Sequence, residues 1–134
     1  MMNSIVAVDA NVLVYLHDSV NKEKREIADR IVAELPCIPA QVVSEYLNVI
    51  RRLLKLPKYD LLLQTANLFE NCNILPVSAT VLNNAAELIT KYQLQLFDAV
   101  IVSSASAAGC QTLYSEDMHH GLKIDQLTIV NPFL

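Results

Sequence analysis

The sequence predicts an α/β fold, a single domain with a central parallel sheet flanked by helices on both faces. Three observations lead there. Short apolar β-type runs alternate along the chain with longer segments of helical period, and parallel strands joined by right-handed helical crossovers satisfy that order. Hydrophobic residues make up 53% of the 134 residues, enough for one core of ordinary domain size. Only two glycines are present, and no internal repeat or linker divides the chain, so one domain is expected over residues 1–134.

The first strand is expected at 5–8 (Ile-Val-Ala-Val), followed by a short helix at 11–16 that breaks at Asp18, Ser19 and Asn21. Residues 22–35 form the next helix. In it Ile27, Ile31, Val32 and Leu35 recur at helical spacing, while Lys22, Glu23, Lys24, Arg25, Glu26, Asp29 and Arg30 face outward. Pro36 ends it, and Cys37-Ile38 is a brief strand. Helices at 41–54 and 59–69 follow, separated by Lys55-Leu56-Pro57-Lys58. A strand at 74–77 leads to Ser78, a helix cap for 79–92. A helix at 97–108 ends at Gly109, and β-type runs at 112–115 and 127–130 complete the order.

The composition excludes several classes. Three cysteines, Cys37, Cys72 and Cys110, show no CxxC spacing and no nearby histidine pair, so they read as reduced, buried thiols rather than a disulfide framework or zinc site. Met1-Met2-Asn3-Ser4 carries no basic region before an apolar stretch, and no apolar run approaches the length of a membrane span. A cytoplasmic protein without membrane contact is expected. The absence of a Gly-rich loop argues against a dinucleotide or P-loop site. The formal charge of −4 supplies no general attraction to nucleic acid, so a polyanionic substrate needs local basic groups or bound cations.

The chemistry lies in four acids remote in sequence: Asp9, Glu45, Asp98 and Asp117. Asp9 closes the first apolar run, Asp98 opens a helix where the backbone dipole favours a negative group, and Asp117 follows the run at 112–115. In an open parallel sheet ligands bind beyond the carboxyl ends of the strands, where Asp9 and Asp117 fall. Glu45 sits mid-helix and reaches further. Carboxylates crowded in such a cleft repel one another unless a cation or protons intervene, and oxygen-only ligands select Mg²⁺ or Mn²⁺. Such an ion commonly meets a phosphate, so phosphodiester hydrolysis is the leading chemistry. Asn11 and Ser115 are placed to support the ligand acids by hydrogen bonds.

Taken in order, Val-Asp-Ala-Asn-Val-Leu (8–13), Ser-Glu-Tyr-Leu-Asn (44–48), Phe-Asp-Ala-Val-Ile (97–101) and Tyr-Ser-Glu-Asp-Met (114–118) resemble the PIN domain, most closely its VapC-type bacterial toxins. The resemblance spans nearly the whole chain. It implies a Mg²⁺- or Mn²⁺-dependent ribonuclease, usually a homodimer, inhibited by an antitoxin that inserts a segment into the active-site groove. Matched by position, Asp9, Glu45, Asp98 and Asp117 are the catalytic acids, with Asp9, Asp98 and Asp117 at the metal and Asn11 and Ser115 on the accompanying polar positions. Glu116 precedes Asp117 and competes with it for the cleft; the family pattern favours Asp117.

An RNA substrate also needs phosphate contacts, and Arg51, Arg52, Lys55 and Lys58 cluster in one segment. Arg52 lies seven residues after Glu45, about 20° short of two full helical turns, so both share a face. Tyr15 and Tyr46 are minor candidates for base stacking. His17, His119 and His120 read as ordinary polar residues outside the site. Two rival readings remain beside the nuclease. One is a noncatalytic PIN-like RNA- or protein-binding module, against which the retention of all four acids speaks. The other is a phosphorylated receiver, which wants an acidic pair after the first strand and a lysine after the last; here Ala10 follows Asp9 and no lysine follows residues 127–130.

Overall fold

The computed structural model describes residues 5–134; the first four, read above as lacking a secretory signal, lie outside the described residues. The chain forms β1 (Val6–Val8), α1 (Ala10–Val14), a 3₁₀ turn (Tyr15–His17), α2 (Lys22–Ala33), β2 (Cys37–Pro39) and α3 (Ala40–Leu54). It continues through α4 (Lys58–Leu68), β3 (Asn73–Leu75), α5 (Ala79–Tyr92), α6 (Leu96–Ala107), β4 (Thr112–Tyr114), β5 (Lys123–Ile124) and β6 (Leu127–Val130). The six strands form one sheet in the order β3-β2-β1-β4-β6-β5. All pairings are parallel except the hairpin of β5 and β6.

Ala7 and Val8 point to opposite faces of the sheet, yet both are 0% exposed. Both faces are therefore covered, as the continuous apolar runs demand. Leu113 of β4 and Ile129 of β6 are paired neighbours and fully buried; each such burial contributes about 1.5–3 kcal/mol relative to exposure.

Strand order decides where a ligand can sit. After β1 the chain builds outward through β2 and β3, then returns to lay β4 on the other side of β1. Between β1 and β4 the connections diverge, leaving a crevice beyond the strands' carboxyl ends.

Several boundaries differ from the sequence expectation, each for a local reason. Helix α2 ends at Ala33, because Pro36 disfavours helical backbone at Leu35, which takes a left-handed φ of 55°. Strand β3 spans 73–75 rather than 74–77, since Pro76 has no N–H to give to the ladder. The β5 strand was not foreseen: its two residues carry no alternating pattern, and they pair only because Asp125 adopts a φ of 54° in the turn to β6. Cys110 is buried as expected, but Cys37 and Cys72 are only half-buried, at the amino-terminal edge of β2 and β3.

Candidate active site

Asp9 ends β1 and caps α1. Its backbone N–H donates to the Tyr114 carbonyl of the neighbouring strand at 2.9 Å, and the Ser115 N–H donates to Val130 at 3.0 Å, so the ladder itself fixes both residues at the crevice. The Asp9 carboxylate is 4% exposed. Oδ1 accepts from the Ala10 N–H at 2.7 Å; Oδ2 accepts from the Ser115 hydroxyl at 2.8 Å and from Asn11 Nδ2 at 3.2 Å. Asn11 Nδ2 also donates to Asp117 Oδ2 at 3.3 Å, tying the acid after β1 to the acid after β4.

Glu45 reaches the same crevice from α3. Val42, Tyr46 and Ile50 form that helix's buried stripe. Tyr46 is anchored hardest, 1% exposed, its ring edge-on to Phe69 at 5.3 Å and its hydroxyl 2.6 Å from His17 Nε2. Glu45, one residue earlier and about 100° round the helix, is thereby directed to the side facing α1. Asp98 lies in the first turn of α6, where unpaired backbone N–H groups favour a carboxylate. Asp9, Glu45, Asp98 and Asp117 line one cleft of about 470 Å³, together with Asn11, Asn48 and Gln95.

The electrostatics show how closely the acids are linked. Burial pushes the Asp9 carboxyl up to about 6; the Ser115 hydroxyl and Ala10 N–H partly offset this, and the charges of Glu45 and Asp98 add to it. Burial likewise raises the Glu45 carboxyl, with Asp98 contributing and Gln41 opposing through a 3.4 Å hydrogen bond. The Asp98 carboxyl is raised by burial and then by Asp117. Each of the four thus repels, or is repelled by, another of the set.

A hard divalent cation suits this donor set, which is all oxygen and excess negative. Among the described residues, no three His, Cys, Asp or Glu side chains converge tightly enough to hold an ion as they are placed. Asp9 is clamped by hydrogen bonds, while Asp98 and Glu45 are half-buried and Asp117 is exposed, so any closure on an ion would fall to the rotamers of the latter three. A larger groove of about 890 Å³ lies between α2 and the sheet, lined by Ile27, Arg30, Ile31 and Tyr114 among others. It contains a single acid, Glu34, and has no comparable constellation.

The PIN domain family model matches residues 6–121. The chain belongs to the PIN domain family. Similar solved structures include a toxin–antitoxin complex from Klebsiella pneumoniae, 21% identical with a TM-score of 0.70, covering 95% of this chain and 97% of that one. The Mycobacterium tuberculosis VapC20 toxin, described as cleaving the sarcin-ricin loop, is 18% identical with a TM-score of 0.66, covering 84% and 89%. FitAcB from Neisseria gonorrhoeae is 18% identical with a TM-score of 0.69, covering 96% and 99%. These likenesses establish the fold. A comparison with curated protein sequences gives no significant match.

As a PIN domain, the chain brings together the four predicted acids and both supporting polar residues. The basic segment behaves differently: Arg51, Arg52, Lys55 and Lys58 are exposed at and beyond the end of α3, and none lines the cleft. Tyr46 is too buried to stack on a base, and Tyr15 is engaged with Glu116. Asn48 and Gln95 line the cleft without having been singled out. For Asn48 a signal existed, since it stands one helical turn after Glu45; Gln95 stands three residues before Asp98, in the cap position of α6.

Proposed function

We propose that residues 1–134 form one nuclease domain, a divalent-metal-dependent endoribonuclease that hydrolyses RNA phosphodiester bonds as the toxin of a type II toxin–antitoxin pair. The observation that carries the reading is the buried Asp9 carboxylate sharing one cleft with three further acids, of which Glu45 and Asp98 oppose its charge and Asp117 opposes that of Asp98. Membership of the PIN family and the likeness to VapC and FitB-type folds support it.

Asp9, Asp98 and Asp117 are the residues that would hold Mg²⁺ or Mn²⁺. When bound there, a divalent ion would supply polarisation of a phosphate oxygen and would lower the pKa of a bound water. Asp9 is preset, because three donors fix its carboxylate before any ligand arrives. Glu45 faces the cleft from the opposite wall, with its carboxyl raised above the ordinary value, which suits it to accept a proton from the attacking water. Asn48 and Gln95 offer neutral donors to phosphate or ribose hydroxyls without adding charge. Arg51, Arg52 and Lys55 hold the RNA backbone outside the cleft. Exposed apolar side chains on α3 and α4, including Leu53, Tyr59 and Leu62, form a surface for the antitoxin and a second copy of the chain.

Purified protein is expected to cleave RNA with Mg²⁺ or Mn²⁺ and to stop in EDTA. Asp98→Asn should lower the rate at least 100-fold with an unchanged circular dichroism spectrum. Cleavage at the parent rate by that variant, or in chelator, would remove the acids from the mechanism. Expression is expected to arrest growth, and coexpression of a small neighbouring protein to relieve it; normal growth with active folded protein would remove the toxin role and leave the nuclease.

A further inference from the structure

Two adjacent acids, Glu116 and Asp117, leave β4 together, and the cleft takes only the second. Glu116 is held away from it. Its Oε2 receives the Lys24 ammonium at 2.6 Å and its Oε1 the Tyr15 hydroxyl at 2.7 Å, so both carboxylate oxygens are engaged. Lys24 is itself held: Nζ lies 3.2 Å from the Tyr15 hydroxyl, 4.9 Å from that ring's centroid and 5.3 Å from the ring of Phe133. Its backbone N–H donates to the Asn21 cap of α2 at 3.3 Å. The Glu116 backbone N–H in turn donates to Asn11 Oδ1 at 3.0 Å, and the amide of Asn11 bridges Asp9 and Asp117. A line of contacts therefore runs from the first turn of α2, through the turn after β4, into the cleft.

We propose that Lys24 is a positioning residue which, by pinning Glu116 on the outer side of the turn, holds Asn11 and Asp117 in the geometry that receives the metal ion. The inference rests on the reading of the cleft as a metal-dependent nuclease site. Lys24 does not line the cleft and touches no reacting atom. Its effect passes through the turn. Without the ammonium, Glu116 keeps only the neutral Tyr15 donor and becomes free to compete with Asp117 beside the other acids, and the Asn11 bridge loses its fixed anchor. Groups hydrogen-bonded directly to metal ligands, as Asn11 is to Asp9 and Asp117, typically change metal affinity 10–100-fold on removal. Lys24, which reaches Asn11 through Glu116, is expected at the low end of that range. The pair is partly exposed, 31% and 24% for the two side chains, so it adds little to global stability.

The test is Mn²⁺ binding to the full-length protein, followed by the electron paramagnetic resonance of free ion, with thermal unfolding in EDTA alongside. Parent and Lys24→Arg are expected to bind alike, while Lys24→Met and Glu116→Gln each bind about tenfold more weakly at unchanged melting temperature. In RNA cleavage at subsaturating Mn²⁺, the two weak variants should recover as the metal concentration is raised. Parent-like affinity in Lys24→Met overturns the proposal, as does tighter binding, which would make the lysine only a repelling charge. Failure of Lys24→Arg to restore affinity, or weakening that tracks a lowered melting temperature, also overturns it. If the parent binds no Mn²⁺, the metal reading fails with it; if the parent binds and Lys24→Met is unchanged, the positioning role fails alone.

Discussion

Asp9→Asn is expected to stabilise the metal-free protein at neutral pH while abolishing its activity. The Asp9 carboxyl stands near 6 in the native state against an ordinary 3.8, first because it is buried. That difference corresponds to about 3 kcal/mol against the ionised native form. The sign follows from proton binding: the folded state holds this proton more tightly than the unfolded state, so the destabilisation is fully present above pH 6. It fades as pH falls through 6 toward 3.8 and vanishes below. An asparagine removes the charge but places an NH₂ group among donors, opposite Ser115 Oγ and Asn11 Nδ2. The serine hydroxyl can rotate to accept; the Asn11 amide must turn or lose a partner, costing about 1–2 kcal/mol.

A net gain of about 1–2 kcal/mol remains, or about 3–6 °C in melting temperature for a chain of this length. The assay is thermal unfolding in EDTA at pH 7.5 and pH 4, with RNA cleavage in parallel. The advantage of Asp9→Asn should be present at pH 7.5 and absent at pH 4. Addition of Mn²⁺ should raise the melting temperature of the parent and leave the variant unmoved. A variant less stable than the parent at pH 7.5, or a difference independent of pH, would refute the electrostatic account of this site.

Other expectations follow from single residues. The Cys110 thiol is 0% exposed and pushed up to about 12 by burial and by Cys37, so alkylation of native protein at pH 8 should label Cys37 and Cys72 and spare Cys110; mass spectrometry of tryptic peptides checks the order. Gln93 ends α5 with a left-handed φ of 56°, and Gln93→Gly should raise stability by about 1 kcal/mol, read as an increased urea midpoint at unchanged slope. Charge removal at Arg51 and Arg52 in the Asp98→Asn background should weaken RNA binding and flatten its salt dependence; an unchanged slope would place the RNA elsewhere.

Much of the fold was legible because buried parallel strands leave apolar runs and the helices between them carry a stripe. The order of strands was not, since nothing in the 112–115 run says that it pairs with 6–8 rather than beside 73–75. Strand β5 escaped because two residues hold no period and its pairing depends on one turn conformation. At the site, Asp9 was readable as an acid ending a buried strand. Asn48 left only its spacing of one helical turn after Glu45, and Gln95 left no signal, because an exposed amide looks the same whether it faces solvent or substrate. The family pattern favoured Asp117 over Glu116, but what holds Glu116 outside the cleft, its contact with Lys24 92 residues away in the chain, is something no local pattern records.

Asp9 also separates a working site from a structural motif. Capping α1 needs only an acceptor for the Ala10 N–H, and serine or asparagine fills that role without a buried charge. Aspartate at 4% exposure, facing Glu45 and Asp98 across a shared cleft, carries an ionisation cost of about 3 kcal/mol, which leaves it about 1–2 kcal/mol worse for folding than asparagine. Its partners do not correct this: Ser115 and Asn11 donate to the carboxylate and fix its direction, yet supply no positive charge. The nearby ammonium, Lys24, is committed to Glu116 instead. Lys24 neutralises an acid outside the cleft, and among the described residues no lysine or arginine lines the cleft beside its four acids. Stability given up at one place while every local contact is otherwise satisfied is what a position held for a ligand would show, and a ligand that relieved this cost would be positive.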